Sequence, residues 1–298
     1  MDLARELASF GPAATYQRPS LEEAQAYCRR LARSHYENFS VASRLFPRHL
    51  QQHLCNVYAF CRWADDLADE SPSAEQALGL LDWWEGELHA MFAGQVQHPA
   101  FVALADTADQ FELDQKPLAD LLVAFRRDQT QHRYASFPDL FGYCECSANP
   151  VGRIVLALGR ALDKENAELS DQVCTGLQLA NFCQDVRRDY ERGRIYLPLD
   201  ACHRFGWDEA KFAAGQCDDG FRRLLASVAG QAEAMLLAGD SLARRVPPEL
   251  RMPVRVFTAG GRAILATIRR ARYDVWSQRP TVGRWTKLRL LASAWWNG

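Results

Sequence analysis

Two stretches of the chain carry oxygen-bearing side chains at helical spacing. The first reads Tyr58-Ala-Phe-Cys-Arg62-Trp-Ala-Asp65-Asp66-Leu-Ala-Asp69-Glu70. On a helix Asp65 and Asp69 share a face, with Arg62 one turn earlier. Carboxylates four apart repel one another, and late in a helix the macrodipole adds to the penalty. A divalent cation offsets both costs; a solvated helix end is the plainer alternative. The second stretch sets Gln178, Asn181, Asp185 and Asp189 at intervals of three, four and four. All four share one face, while Leu177, Phe182 and Val186 can turn to a core. Asn and Asp are poor helix-interior residues, so a stripe of them is costly without a ligand.

Both faces offer oxygen donors, which suit Mg²⁺ and leave positions for phosphate and water. Zinc is disfavoured because no His or Cys joins either stripe. The oxygen donors of these two faces are the candidate metal ligands. Arg62 beside the first stripe, and Arg187, Arg188, Arg192 and Arg194 beside the second, can clamp a diphosphate. The chemistry indicated is metal-assisted departure of diphosphate, with cations stabilising charge on the leaving group. The carbocation left behind needs a dry pocket with aromatic faces. The chain has 8 Trp, 15 Phe and 9 Tyr from which to build one.

Helices must position these groups. Period-two runs rich in Val, Ile and Thr are scarce, whereas helical patterns recur. They are expected over Leu21–Arg33, His49–Ala68, Ser73–Phe92, Pro99–Phe111, Pro117–Phe125, Ser170–Tyr190, Asp208–Ala214, Gly220–Arg244 and Pro247–Arg272. Phe137–Leu162 should kink or restart at Pro150, and Gly193 with Leu197-Pro198 should end the helix bearing the second stripe. With no repeat and no long linker, residues 1–298 read as one all-α domain of about a dozen helices.

Composition narrows the classes. Lys and Arg number 35 against 37 Asp and Glu, a net charge of −2, so nucleic acid is not the expected partner. No apolar run approaches the roughly 20 residues that span a bilayer. The N-terminal stretch lacks the apolar core and small-residue cleavage site of a secretory signal. Nine cysteines without a CxxC pair read as small core residues in a cytoplasmic protein.

At these motifs the chain resembles the squalene/phytoene synthase family of head-to-head prenyl synthases, over roughly residues 22–275. The family's first motif matches Tyr58-x3-Arg62-x2-Asp65-Asp66-x2-Asp69. Its second matches Gln178-x2-Asn181-x3-Asp185-x3-Asp189 with the tail Gly193-Arg194-Ile195-Tyr196-Leu197-Pro198. Between them, Phe141-Gly142-Tyr143-Cys144 through Val151-Gly152 resembles the family's central helix. Tyr143 falls at an active-site tyrosine position, and Tyr273 is placed similarly. The resemblance implies the all-α isoprenoid synthase fold, a helical bundle with a central cavity between the acidic helices. It also implies Mg²⁺ as cofactor.

Within the family, the runs His35–Ser43, Cys61–Glu70 and Ser147–Gly152 are most similar to the hydroxysqualene synthases of bacterial hopanoid pathways. That likeness implies conversion of presqualene diphosphate and water to hydroxysqualene and diphosphate, with no NADPH requirement. It also implies functional coupling to a presqualene diphosphate synthase and a hydroxysqualene reductase. Two departures from the wider family point the same way. A Ser-x-Ser-Phe run is replaced by Tyr36-Glu37-Asn38-Phe39, and the common Arg before the second-motif aspartate is Gln184. Each removes a donor or cation from the phosphate end, as expected of a site handling one diphosphate rather than two.

By the resemblance, the catalytic set comprises Asp65, Asp69, Asp185, Asp189, Tyr58, Tyr143, Tyr36 and Asn38. Arg62, Gln178, Phe39, Tyr273, Arg188 and Arg194 bind substrate. Candidates for positioning the captured water are Tyr36, Asn38, Glu145 and Asn149. Trp83-Trp84 read as core. The basic and aromatic Trp285–Trp296 segment suits either packing on the bundle or peripheral contact with the inner membrane face. The alternatives are a condensing synthase making presqualene diphosphate, squalene or phytoene, and a non-catalytic assembly protein of the same fold. The intact acidic positions disfavour the latter.

Overall fold

A computed structural model describes residues 1–35 and 45–283. Tyr36, Asn38, Phe39 and the Trp285–Trp296 segment lie outside the described residues. Among those described, the chain forms helices α1 (Leu3–Phe10), α2 (Leu21–His35), α3 (Arg48–Asp69), α4 (Ala74–Phe92), α5 (Pro99–Phe111), α6 (Gln115–Thr130) and α7 (Phe137–Ser147). They continue with α8 (Asn149–Leu158), α9 (Lys164–Glu191), α10 (Leu199–Arg204), α11 (Glu209–Ala214), α12 (Asp219–Ala238), α13 (Leu242–Arg245) and α14 (Pro248–Arg270). The protein is all-α, as the helical periodicity implies. Contacts group it into two compact units, Met1–Thr130 with Ile154–Leu162, and Gln131–Arg153 with the chain from Asp163 onward.

In the first unit α3 packs against α2, α4, α5 and α6. Its buried stripe includes Leu50, Leu54, Val57, Phe60, Ala64 and Leu67, the recurrence at three and four that an amphipathic helix requires. Trp63 and Trp84 are fully buried and stack with centroids 5.1 Å apart, so Trp84 is core as expected, whereas Trp83 beside it is only half-buried. Trp63 Nε1 donates to the Tyr27 hydroxyl at 2.8 Å, which donates to Glu6 at 2.7 Å. Buried Asn56 donates to the Ala103 carbonyl and to Thr107. These bonds satisfy polar groups that would otherwise be costly inside a core. His98 lies edge-on to both tryptophans at 4.8 Å, and burial pushes its pKa down to about 3.

The second unit is organised by α9, a helix of 28 residues packed on α12 and α14. Gly176 allows the close approach to α12: a Cβ there would meet Leu236 Cγ at 2.9 Å and the Ala232 carbonyl at 3.0 Å. The helix starts at the Asp163 N-cap, whose side chain accepts from the Asn166 N–H, so that its first residue, Lys164, precedes the expected Ser170 start. Its end is a Schellman motif at Gly193, whose φ is 78°: Gly193 N–H bonds the Tyr190 carbonyl and Arg194 N–H the Asp189 carbonyl. The chain restarts at Asn149 with Pro150 in the first turn, the break expected of that proline. Helices α1 and α10 lie outside the expected helical segments. The expected Gly220–Arg244 helix divides after Ala238, where a Cβ on Gly239 would lie 2.5 Å from Val173.

All nine cysteines are free. Burial raises the thiol pKa at eight of them, with Cys28, Cys61, Cys144 and Cys202 pushed up to about 12. No helix among the described residues is long and apolar enough to cross a membrane.

Candidate active site

The first acidic face occupies the last two turns of α3. Asp65 and Asp69 fall on its half-exposed and exposed side, and Asp66 is buried. Arg62 reaches both neighbours: its Nη1 lies 3.2 Å from Asp65 Oδ2, and its Nη2 pairs with Asp66 Oδ1. The Met1 amino group is 2.6 Å from the other Asp66 oxygen. Burial pulls the Arg62 pKa down, but Asp66 and Asp65 outweigh it, so the net shift is upward and the guanidinium stays charged. Asp66 thus anchors Arg62, and Arg62 in turn tethers the partly exposed Asp65. Tyr58, one turn before Arg62, contributes to the same electrostatic environment.

The second face runs along α9. Asn181 is exposed, Gln178 and Asp189 are half-buried, and the Asp185 side chain is 13% exposed. Phe182, Cys183 and Val186 turn inward, which gives the expected division of the helix. Arg188 Nη1 lies 4.0 Å from Asp185 Oδ1. Arg187 is engaged elsewhere, with Glu191 and the Trp276 carbonyl. The Schellman turn then sends the chain back, and Ile195 N–H bonds the His132 carbonyl.

The segment after that turn brings Tyr196 onto Phe182, stacked at 4.1 Å. Tyr134 and Tyr143 complete a buried aromatic group, Tyr143 lying 5.6 Å from Tyr196 and 5.2 Å from Tyr134. Tyr143 therefore sits directly against the helix that bears the second stripe. Such a set of π-faces can stabilise a cation by its quadrupoles.

Of the water-positioning candidates, Glu145 is exposed and Asn149 is buried, its Oδ1 accepting from Thr175 at 2.9 Å. Tyr273 is placed by a left-handed turn, with φ of 52° at Arg272 and 62° at Tyr273, and its side chain lies near enough to Arg269 to help raise that guanidinium's pKa.

One residue that sequence reasoning missed reaches the second face. Arg279 forks onto Asp185, with Nε to Oδ1 and Nη2 to Oδ2 at 2.8 Å. Its Nη2 also donates to Gln184 Oε1 at 3.1 Å, and Gln184 Nε2 donates to the Pro280 carbonyl. Nothing local marks Arg279: it follows the last described helix and is 94 residues from its partner.

Among the described residues no three His, Cys, Asp or Glu side chains converge as a metal cage. The donor chemistry nonetheless fits a hard cation. The second stripe supplies amide and carboxylate oxygens, and Asp185 already attracts a positive charge.

Comparison with known proteins agrees with the motifs. Residues 32–286 match the squalene/phytoene synthase family. The chain belongs to that family. Phytoene synthase of Arthrospira platensis is 32% identical over 280 residues, covering 90% of this chain and 91% of its own. The crystal structure of squalene synthase HpnC from Alicyclobacillus acidocaldarius is 45% identical, with a TM-score of 0.82 over 85% of this chain and 96% of that one. A dehydrosqualene synthase solved with a ligand is 26% identical, with a TM-score of 0.84 over 93% and 97%. This family member has the isoprenoid synthase fold and belongs among the head-to-head prenyl synthases of isoprenoid biosynthesis.

Proposed function

We propose that this family member converts presqualene diphosphate and water to hydroxysqualene and diphosphate. Asp65 and Asp69 on α3, and Asn181, Asp185 and Asp189 on α9, are the oxygen donors to Mg²⁺. When bound, Mg²⁺ supplies positive charge that stabilises the departing diphosphate. Arg62, Arg188 and Arg194 hold the anionic end of the substrate, with Gln178 as a neutral donor. The C–O bond breaks with its electron pair leaving on diphosphate, and the cyclopropylcarbinyl cation rearranges beside Tyr143 and its aromatic neighbours. Water then adds and loses a proton. No hydride is consumed, so no NADPH is required.

Gln184 carries this reading against a condensing synthase. The position commonly held by Arg in the family is here a buried neutral amide committed to the Pro280 carbonyl, so it supplies no cation for a second diphosphate. The 45% identity to squalene synthase HpnC, against 32% to a phytoene synthase, supports the same branch. We place the protein in hopanoid biosynthesis on this ground, coupled to enzymes that make presqualene diphosphate and reduce hydroxysqualene. The second reading is head-to-head condensation, favoured by the curated phytoene synthase relatives.

Incubation of the purified protein with Mg²⁺ separates the two. Presqualene diphosphate and farnesyl diphosphate are supplied in separate reactions without NADPH, and products are identified by mass spectrometry. Hydroxysqualene from presqualene diphosphate, with farnesyl diphosphate untouched, is expected. Presqualene diphosphate formed from farnesyl diphosphate, with no alcohol, would replace the proposal with the condensing reaction.

A further inference from the structure

The Asp185 carboxylate already carries a cation, and that cation comes from a distant part of the chain. Both oxygens of Asp185 receive the Arg279 guanidinium. This two-pronged, charge-assisted geometry is among the stronger polar contacts available to a protein. Asp185 is 13% exposed, so a bare carboxylate there would be poorly solvated.

The segment bearing Arg279 is fixed at several points. Val275 and Trp276 are buried, Trp276 packing near Tyr190, Trp207, Phe212 and Phe221. The Asp274 carboxylate accepts from the Ser277 N–H at 3.0 Å and hydroxyl at 2.7 Å. Gln184 ties down the Pro280 carbonyl. The Arg279 side chain, by contrast, is one-third exposed and can rotate toward solvent while its backbone stays in place.

We propose that Arg279 is an internal counter-ion that competes with the metal for Asp185, with Gln184 as the positioning residue that seats it. This rests on the reading of Asp185 as a metal ligand. The fork uses lone pairs that a hard cation would take, and a dication beside the guanidinium would be repelled by it. Loading the second acidic face therefore swings Arg279 out. Gln184 suits the seat because it is neutral and has an acceptor to offer. An arginine at that position has no acceptor and would repel the guanidinium. The departure from the family's common Arg to Gln184 thus does more than delete a charge: it makes room for another cation to occupy Asp185 in the unloaded enzyme.

The test is Mg²⁺ binding to the full chain without substrate, by calorimetry, in the parent, Arg279→Gln and Arg279→Lys proteins. Removing the fork should lower the Mg²⁺ dissociation constant about ten- to a hundredfold in Arg279→Gln, the range of one hydrogen bond to a charged group. Lys, with charge but no fork, should fall between, and it serves if the Gln variant folds poorly. In proton–nitrogen spectra, the Arg279 Nε–H signal, assigned by its loss in Arg279→Lys, should move or vanish as Mg²⁺ saturates the parent. Equal or weaker binding by Arg279→Gln overturns the proposal, as does no Mg²⁺ binding by any of the three, or an Nε–H signal unchanged at saturation. Failure of the proposed reaction would appear differently, as no hydroxysqualene from the parent at saturating Mg²⁺. An unchanged affinity ratio in an enzyme that does make hydroxysqualene removes the counter-ion alone.

Discussion

The two acidic faces are neutralised in opposite ways. On α3 the cation is mostly local: Arg62 pairs with Asp65, Asp66 and, less closely, Glu70, and only the deeply buried Asp66, not a member of the exposed pair, also takes the distant Met1 amino group. On α9 the cation is remote, since Arg279 reaches Asp185 across 94 residues. A helix that brings its own counter-ion holds its exposed acids from within its own turns. A helix that borrows one is tied to the segment that lends it. The first arrangement serves as a fixed anchor, the second as a point of control.

The largest expected effect treats the faces as equals. Asp65→Ala and Asp185→Ala should each lower diphosphate release about 10²–10³-fold, the scale of losing one preorganised stabiliser of transition-state charge, read by a coupled phosphate assay. A loss confined to one variant would break the symmetry of roles. Next come the two supports. Trp276→Ala should destabilise the protein by about 3–5 kcal/mol through the cavity it leaves. Arg62→Ala should cost about 3 kcal/mol by uncovering buried Asp66. Denaturant unfolding measures both; a cost near zero for Arg62→Ala would show that the Met1 amino group alone suffices for Asp66.

Acid should separate the units. An unfolded His98 takes up its proton near pH 6.5, the folded one only near pH 3. Between those values the unfolded state binds more protons, so stability falls as pH drops, by up to about 1.4 kcal/mol per pH unit. Amide exchange at pH 5, corrected for intrinsic rate, should therefore accelerate in α3 more than in α9, and His98→Asn should flatten the slope. The smallest effect concerns the turn into the Arg279 segment. Tyr273→Gly relieves a left-handed φ but loses the Arg269 contact, so stability should stay within about 1 kcal/mol of the parent.

What the sequence discloses follows the range of the interaction. Helix faces and the Gly193 stop depend on neighbours within a turn or two, and α3 and α9 place the acidic residues on the sides their spacing implies. The Arg62 pairing was partly visible, because Arg62 and Asp66 are four apart. Its depth was not, since burial of Asp66 depends on α1 and on the chain start. Arg279 was illegible for the same reason. The Gln184 departure was noticed as a missing charge, but only the fold reveals the Pro280 carbonyl and the guanidinium that it serves. The aromatic group shows the same limit: the resemblance marks Tyr143, whereas only the fold sets Tyr134 and Phe182 against it and, by the return of the chain after Gly193, brings Tyr196 onto Phe182.

Nine free thiols would ordinarily make a protein awkward to label. Here burial keeps eight of them protonated. A thiol with a pKa near 12 presents about one thiolate in 10⁵ at neutral pH. A cysteine introduced at exposed Ser277 would therefore outcompete these eight for a maleimide dye, leaving half-exposed Cys146 as the one native thiol to replace. The protein's own chemistry leaves the Arg279 segment open to selective fluorescent tagging once Cys146 alone is replaced.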